Sequence, residues 1–371
     1  MPKVLMLLTN GFEPDVRIYK QAIHFVRRGC SVTIFCWDRS GDLPMRETID
    51  GINVYRCQIA SEYGTGFRQL PAFFRFMVTC INYVNTNSWD ILHCSDMDTM
   101  LIAFFRRQAQ RGIWIFDMHE FYDSGTLSML RFVVNPLVKF LCNKAAYVIY
   151  LNELQLAYAT KRTLARFIYL PNYPELSKFA SIKQQLDNKL RISYIGAVRQ
   201  YSVLEILLRE CYSFKDDVDV NIHGNGVDAH AVRELTIKME FGTSTGKFTH
   251  DDIGRLYANT DLLFCVYDYN DRNARRAYAT KLYEAIVACC PVIVQSGTVM
   301  ADFVREHNIG FCVNTNIPGE ITQIVSDCLQ DSGILPKLRG NIDRINHNFA
   351  WENVVSNLDV VFQKHLIHTG G

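Results

Sequence analysis

The sequence predicts an α/β protein of two doubly wound, Rossmann-like domains. Strand-like and helix-like segments alternate from end to end, and a closely spaced pair of prolines interrupts them near the middle. Apolar runs suited to burial on both faces occur at Val4–Leu8, Val32–Phe35, Ile113–Phe116 and Tyr147–Leu151. They recur at Ile192–Ile195, Val218–Ile222, Leu262–Val266 and Val292–Val294. Segments of helical periodicity separate most of them, the pattern of parallel sheets covered by helices on both sides. With 371 residues the chain is long for one core and fits two domains. The division is placed at Pro171-Asn-Tyr-Pro174, where two prolines fix an extended hinge that no helix crosses. This gives one domain over residues 1–172 and another over 173–350, the charged segment Ser177–Lys189 leading into a fresh strand.

Composition narrows the class. Hydrophobic content of 49% and aromatic content of 12% describe a globular chain and exclude a disordered one. Lysine plus arginine minus aspartate plus glutamate is 39 − 38 = +1, so no overall field steers the chain towards nucleic acid. None of the twelve cysteines forms a Cys-x-x-Cys pair, and several (Cys36, Cys94, Cys265, Cys312) sit in apolar runs where a thiol acts as a small hydrophobe. That usage predicts a reducing, cytoplasmic setting. The opening Met1-Pro-Lys-Val-Leu-Met-Leu-Leu-Thr9 reads as a first strand and not as a signal peptide. No run reaches the roughly 18 uncharged apolar residues that a membrane-spanning helix needs.

Taken in chain order, the first strand leads through Gly11 into a helix that runs to Gly29. Pro14 and Asp15 are good helix starters, and Gly11 allows backbone amides to approach an anion there. Two phrases, Asp90-Ile-Leu-His-Cys-Ser-Asp96 and Ile115-Phe-Asp-Met-His-Glu120, each close a strand with polar groups. An open α/β sheet keeps its ligand site at that end. His93 reads as a packing residue, whereas His119, beside two carboxylates, stays open to either role. In the second half, Gly224-Asn-Gly-Val-Asp-Ala229 has the Gly-x-Gly-x-x-Ala spacing between a strand and a helix. By itself that is a weak dinucleotide fingerprint and is equally a tight turn.

The last segment is the most informative. Tyr278–Val294 reads as a loop, a short helix carrying Lys281 and Glu284, a stop at Pro291 and a buried strand. A lysine at the positive end of a helix suits phosphate oxygens, and a carboxylate one turn on accepts both hydroxyls of a ribose. A spacing of three puts them on one face. The alternative is a pair of solvated charges on an amphipathic helix.

Lys281-Leu-Tyr-Glu-Ala285 followed by small residues and Pro291-Val-Ile293 resembles the donor-site helix of the retaining glycosyltransferases of the GT-B fold, the GT4 type. The other segments fall in the expected order from Val4 to about Trp351. The resemblance implies two Rossmann-like domains facing across a cleft, with the final stretch 351–365 packing back on the first. It implies transfer of a sugar from a nucleoside diphosphate sugar to an acceptor hydroxyl, with no bound metal and no cofactor beyond the donor. On this reading Lys281 and Arg199 meet the diphosphate, amides near Gly11 assist, Glu284 holds the ribose and His119 orients the sugar. Asp15 and Arg17 belong to the fold, and Asp96 and Glu120 lie on the acceptor side. The acceptor is a glycan, a lipid-linked sugar or a protein, as in polysaccharide or glycoconjugate synthesis.

Two departures from the family pattern stand out. The basic residue expected directly after Gly196 is Ala197, so Arg199 must take its role. The first carboxylate of the family's Glu-x7-Glu phrase is Arg276. A sugar-nucleotide epimerase of the same fold, or a non-catalytic partner of an active transferase, are the rival readings, with an oxidoreductase third. Two stretches, Phe67–Tyr83 and Leu127–Tyr147, mix aromatic, aliphatic and basic residues. They read as amphipathic helices facing their own core. The alternative is a weak peripheral contact with the inner face of a membrane.

Overall fold

The computed structural model describes residues 1–13, 15–62, 66–105, 112–122, 131–179 and 189–365. Pro14, residues 127–130 of the second amphipathic stretch and residues 180–188 of the charged segment lie outside that set. Packing divides the chain into two compact units, Met1–Pro171 with the segment from Val354 onward, and Asn172–Asn353.

The first unit holds eight strands: β1 Lys3–Leu7, β2 Ser31–Asp38, β3 Arg46–Ile49, β4 Ile52–Gln58, β5 Ile91–Ser95, β6 Ile113–Asp117, β7 Tyr147–Tyr150 and β8 Phe167–Tyr169. They form one sheet in the order β3-β4-β2-β1-β5-β6-β7-β8. Pairing is parallel except for the β3–β4 hairpin. The winding reverses between β1 and β5, which opens a crevice at the carboxyl ends of those strands. Helices Leu70–Thr86, Asp96–Ala103 and Arg131–Lys144 cover one face through Phe76, Cys80, Met100, Val138 and Leu141. Side chains alternate along a strand, so His93 and Asp117 point away from the cluster that takes Leu92, Cys94 and Phe116.

On that other side lies helix Val16–Arg27, started by Asp15, whose carboxylate accepts the Ile18 amide at 3.2 Å. The final helix, Asp359–His365, docks against it. His24 Nε2 meets Asp359 at 2.9 Å, Arg28 pairs with the same carboxylate, and Phe25 packs on Phe362 at 5.5 Å between ring centroids.

The second unit has six strands, all parallel: β9 Leu190–Ile195, β10 Val218–His223, β11 Thr243–Gly246, β12 Leu262–Cys265, β13 Val292–Gln295 and β14 Gly310–Val313. Their order is β11-β10-β9-β12-β13-β14, so the winding reverses between β9 and β12. Helix Glu320–Gln330 begins at Gly319 with no cap of its own, and Glu210 supplies one. Its carboxylate accepts the amides of Gly319, Ile321 and Thr322 at 3.0, 2.9 and 3.1 Å.

Every expected strand forms. Four elements were not expected, namely β3, β4, β11 and β14. β3 and β11 have no buried residue, and β14 is a short run around Gly310 and Cys312. β3, β11 and β14 are edge strands without the apolar run that marks a central parallel strand, and β4, one place in, only alternates buried and half-buried residues.

One ion pair pins the first unit together. Arg17 reaches Asp117 at the end of β6 through Nε (3.1 Å) and Nη2 (2.5 Å), and donates Nη1 to the Leu170 carbonyl at 2.9 Å. Both side chains are buried. Removing Arg17 takes the guanidinium from buried Asp117 and leaves it with Gln21 and His119, and breaking a buried pair costs about 3–5 kcal/mol. Arg17→Ala is therefore expected to lower unfolding free energy by that amount in urea titration. Arg17→Lys should recover only part, because the planar fork is lost. A loss within experimental error for Arg17→Ala would show that the pair does not anchor the unit.

Candidate functional site

Lys281 occupies the second position of helix Thr280–Val287, whose N-cap, Ala279, offers the free backbone amides no side-chain acceptor. The lysine is only 7% exposed. Its Nζ lies 3.6 Å from the ring centroid of Tyr194, at the end of β9, and 5.2 Å from that of Tyr267, just beyond β12. Among the described residues this buried nitrogen has no hydrogen-bond partner. Burial pulls its pKa from 10.5 to about 8, against the opposing pull of Cys265 and Glu284. Aromatic faces partly compensate the charge without accepting a hydrogen bond.

Gly196, directly after β9, makes room for this amine. It has a φ of +138°, and a Cβ there would sit 3.3 Å from Lys281 Cε and Nζ. Gly224 has a φ of +143°, and its Cβ would fall 1.8 Å from the Gly196 carbonyl oxygen. A Cβ on Gly226 would fall 2.3 Å from the Val198 oxygen. The Gly-x-Gly spacing thus serves a close approach between two turns at the carboxyl ends of β9 and β10.

Glu284, one turn beyond Lys281, is half-buried. The hydroxyl of buried Tyr257 lies 3.1 Å from Glu284 Oε2 and 3.1 Å from the Lys281 carbonyl, fixing the carboxylate to its own helix. Burial raises the Tyr257 pKa well above 10, with the Glu284 charge adding to it, so this hydroxyl stays a donor. Arg199 is exposed and makes no hydrogen bond or ion pair among the described residues. Ala197, where a basic residue was expected, contributes its carbonyl to the Tyr194 hydroxyl at 2.6 Å and locks the turn. Arg276 is half-buried on the short helix Arg272–Arg276.

The first unit has its own polar cluster at the ends of β5 and β6. Asp117 accepts from Arg17 and from Gln21 Nε2 at 2.7 Å, and Gln21 Oε1 faces His93 Nε2 at 3.0 Å. Burial brings His93 down to about 4, so it is neutral and donates to Gln21. His119 stands between two carboxylates, its Nε2 3.2 Å from Asp117 and its Nδ1 3.3 Å from Asp96. Burial acts to lower its pKa, but the charges and hydrogen bonds of both aspartates outweigh it and hold the value well above 6.5. The two carboxylates thus favour the imidazolium form of His119.

Asp96 also accepts the His119 amide at 3.1 Å and the Tyr122 hydroxyl at 2.9 Å. It does so with a φ of +71°, a strained backbone for a residue with a Cβ. Asp98, two residues on, is pushed up to about 7 by burial and by Asp96. Glu120 is exposed.

Residues 14–172 match the sequence profile of the glycosyl transferase 4-like domain. Solved structures extend the likeness over the whole chain. Sucrose-phosphate synthase from Thermosynechococcus elongatus superposes with a TM-score of 0.78 at 13% identity, covering 100% of both chains. Anabaena HepE in complex with UDP-glucose gives 0.67 at 13% identity, covering 98% of this chain and 100% of that one. A glycosyltransferase from Rickettsia africae gives 0.64 at 12% identity, covering 99% and 100%. The chain has the GT-B fold. No protein of curated function matches it in sequence.

In the first unit, Gly11 lines an open cavity of about 990 Å³. Glu13, Asp15, Asp38 and Glu62 also line it, with Arg39 as the cation. Such walls repel a diphosphate, and the nearby Phe12 amide is already given to Asn10 Oδ1 at 3.0 Å. Among the described residues no cluster of three or more His, Cys, Asp or Glu side chains is placed to hold a metal ion.

Sequence reasoning missed Tyr194, Tyr257, Asp98 and Tyr122. Asp98 and Tyr122 sit two residues from Asp96 and Glu120, so proximity along the chain was the available signal. Tyr257 and Tyr194 carry none, being distant in sequence from Lys281.

The Lys281 site makes stability depend on pH. Its folded pKa of about 8 lies below the unfolded 10.5, so between those values the unfolded chain binds the extra proton. Unliganded stability then rises with pH across that window, and below it the site costs about 3 kcal/mol. Lys281→Met is expected to flatten that rise and leave the ligand-free protein no less stable at neutral pH. Urea unfolding of both proteins at neutral pH and near pH 10 checks this, and identical pH slopes would refute the buried-amine assignment.

Proposed function

We propose that the chain transfers a sugar from a nucleoside diphosphate sugar to an acceptor hydroxyl, with retention of anomeric configuration, in polysaccharide or glycoconjugate synthesis. One observation carries this reading: among the described residues the Lys281 amine is buried without an acceptor, beside a helix start that has no side-chain cap. Phosphate oxygens arriving there would give the ammonium and the free amides their missing acceptors. Few neutral ligands would gain as much.

Glu284, fixed by Tyr257 on the same helix face, takes the ribose hydroxyls. As the bond to the sugar breaks, negative charge grows on the departing diphosphate. A cation already aimed at that position lowers the barrier without reorganising. Arg199, exposed and unpaired among the described residues, is free to close on a phosphate bidentately.

In the first unit, His119 serves the transferred sugar. Both its nitrogens face carboxylates, so a sugar hydroxyl would replace Asp96, the more exposed partner, while Asp117 keeps the ring charged and oriented. Retention, and a donor bound without a metal, rest on the resemblance of Lys281–Val294. The capture of UDP-glucose by HepE supports a uridine nucleotide as the first ligand to test.

A non-catalytic partner protein is the second reading. It is favoured by Arg276, which stands eight residues before Glu284, where the resembling family has a sugar-binding carboxylate. Such a protein would bind nucleotide weakly and turn over nothing.

Calorimetry with UDP, GDP and ADP separates the cases. Lys281→Ala and Glu284→Ala are each expected to weaken binding of the preferred diphosphate at least tenfold, about 1.4 kcal/mol. Unchanged affinity in both would remove the donor-site assignment. His119→Ala should lower transfer with little change in nucleotide affinity, and wild-type turnover would end its role. The anomeric configuration of the product, read by NMR, decides retention.

A further inference from the structure

The two amphipathic stretches were expected to face their own core, and each helix has a second face that the core does not use. In helix Leu70–Thr86, Phe76, Cys80 and Val84 are buried. The opposite side carries Leu70, Phe74 and Val78 at intervals of four, all exposed, Phe74 at 69%. In helix Arg131–Lys144, Val134, Val138 and Leu141 are buried, while Phe132 (78% exposed), Val133 and Phe140 point outward. Helix Asp96–Ala103 packs against both, and just beyond it Phe105 is exposed as well. All three cover the same side of the sheet through one core cluster, so their outer sides form a single layer. Scattered surface apolar residues are ordinary, but large ones gathered on adjoining helices mark a docking surface.

Charge identifies the occupant. Neither outer helix contains an Asp or Glu, whereas Arg75, Arg131, Lys139 and Lys144 are exposed on them. The only acids of the middle helix, Asp96 and Asp98, sit in its first turn, with Asp96 engaged by His119 and Tyr122. The whole chain carries only +1, so this layer concentrates cations that are balanced elsewhere. Arg131 lies over the Phe132 ring at 4.9 Å and Lys144 over Phe140 at 5.4 Å. Rings flanked by long cationic side chains suit an interface where apolar groups sink and charges stay with headgroups. A second copy docking through the same layer would set cations against cations.

We propose that this three-helix layer is a membrane-docking face that seats on an anionic phospholipid surface. The apolar side chains insert at the headgroup boundary and the lysines and arginines meet lipid phosphates. No described helix is long and apolar enough to cross a membrane, so the contact is peripheral. The inference stands apart from the donor site and holds whether or not nucleotide binding is found.

Co-sedimentation of the full chain with vesicles tests it, using phosphatidylcholine alone or mixed with phosphatidylglycerol. Binding is expected to the mixed vesicles only and to weaken with added salt. Lys139→Ala with Lys144→Ala should lower the partition about fivefold per cation removed. Phe74→Ser with Phe132→Ser should abolish it, with unchanged melting behaviour because these positions are exposed. Equal binding to both vesicle types, or none to either, overturns the proposal. So does a concentration-dependent dimer that Phe74→Ser with Phe132→Ser dissolves, which would make the layer an interface between copies.

Discussion

A buried amine without an acceptor is costly, and the second unit is shaped around keeping one. The packing of Lys281 against Tyr194 and Tyr267 supplies attraction to aromatic faces and no hydrogen bond. Gly196 leaves the volume the side chain needs, and Gly224 permits the neighbouring turn to close on Gly196. A chain selected for stability alone would replace this lysine by an apolar residue of similar length. Its retention among so much aromatic surface fits a site that is completed by ligand, in which binding free energy offsets the cost of desolvation.

The first unit solves the opposite problem. Its buried carboxylate Asp117 is matched by Arg17, Gln21 and His119, and half-buried Asp96 by His119 and Tyr122. The network holds an imidazolium fixed between two carboxylates, a preorganised charge and not a waiting one. Asp96 reaches it only by adopting a left-handed backbone at the start of a helix. Strain of that kind, about 1–3 kcal/mol, persists where surrounding contacts over-determine it. One unit therefore presents an unmet cation and the other a satisfied one, which suits a division between gripping a leaving group and positioning a neutral sugar.

The legible part of the sequence was the part governed by local rules. Central parallel strands are buried on both faces, so runs such as Leu262–Val266 announced themselves. β3 and β11 alternate exposed and half-buried residues at sheet edges, and nothing in Arg46–Ile49 or Thr243–Gly246 separates them from loop. The site shows the same split. Lys281 and Glu284 share a helix face because their spacing dictates it. Their surroundings depend on chain folding over long separations: Tyr257 comes from 24 residues before Lys281, and Tyr194 from the end of another strand. The clash that explains Gly224 is likewise invisible until β9 and β10 lie side by side. Their pairing alone turned a dinucleotide-like phrase into a packing requirement.

The two departures from the resembling family look less damaging in this light. Ala197 gives up a side chain but not a function of the turn, since its carbonyl anchors the Tyr194 hydroxyl and so steadies one wall of the Lys281 pocket. An arginine at that position would meet the same exposed surroundings as Arg199, two residues further along and unpaired among the described residues. A guanidinium on so long a side chain spans that shift without a backbone change. Arg276 is the more consequential substitution, because replacing a carboxylate by a cation removes an acceptor of sugar hydroxyls and brings positive charge to the same segment as Lys281. In the proposed donor site it would move recognition from the sugar towards the anionic part of the donor. Discrimination between sugars, on that proposal, would fall on groups other than that carboxylate.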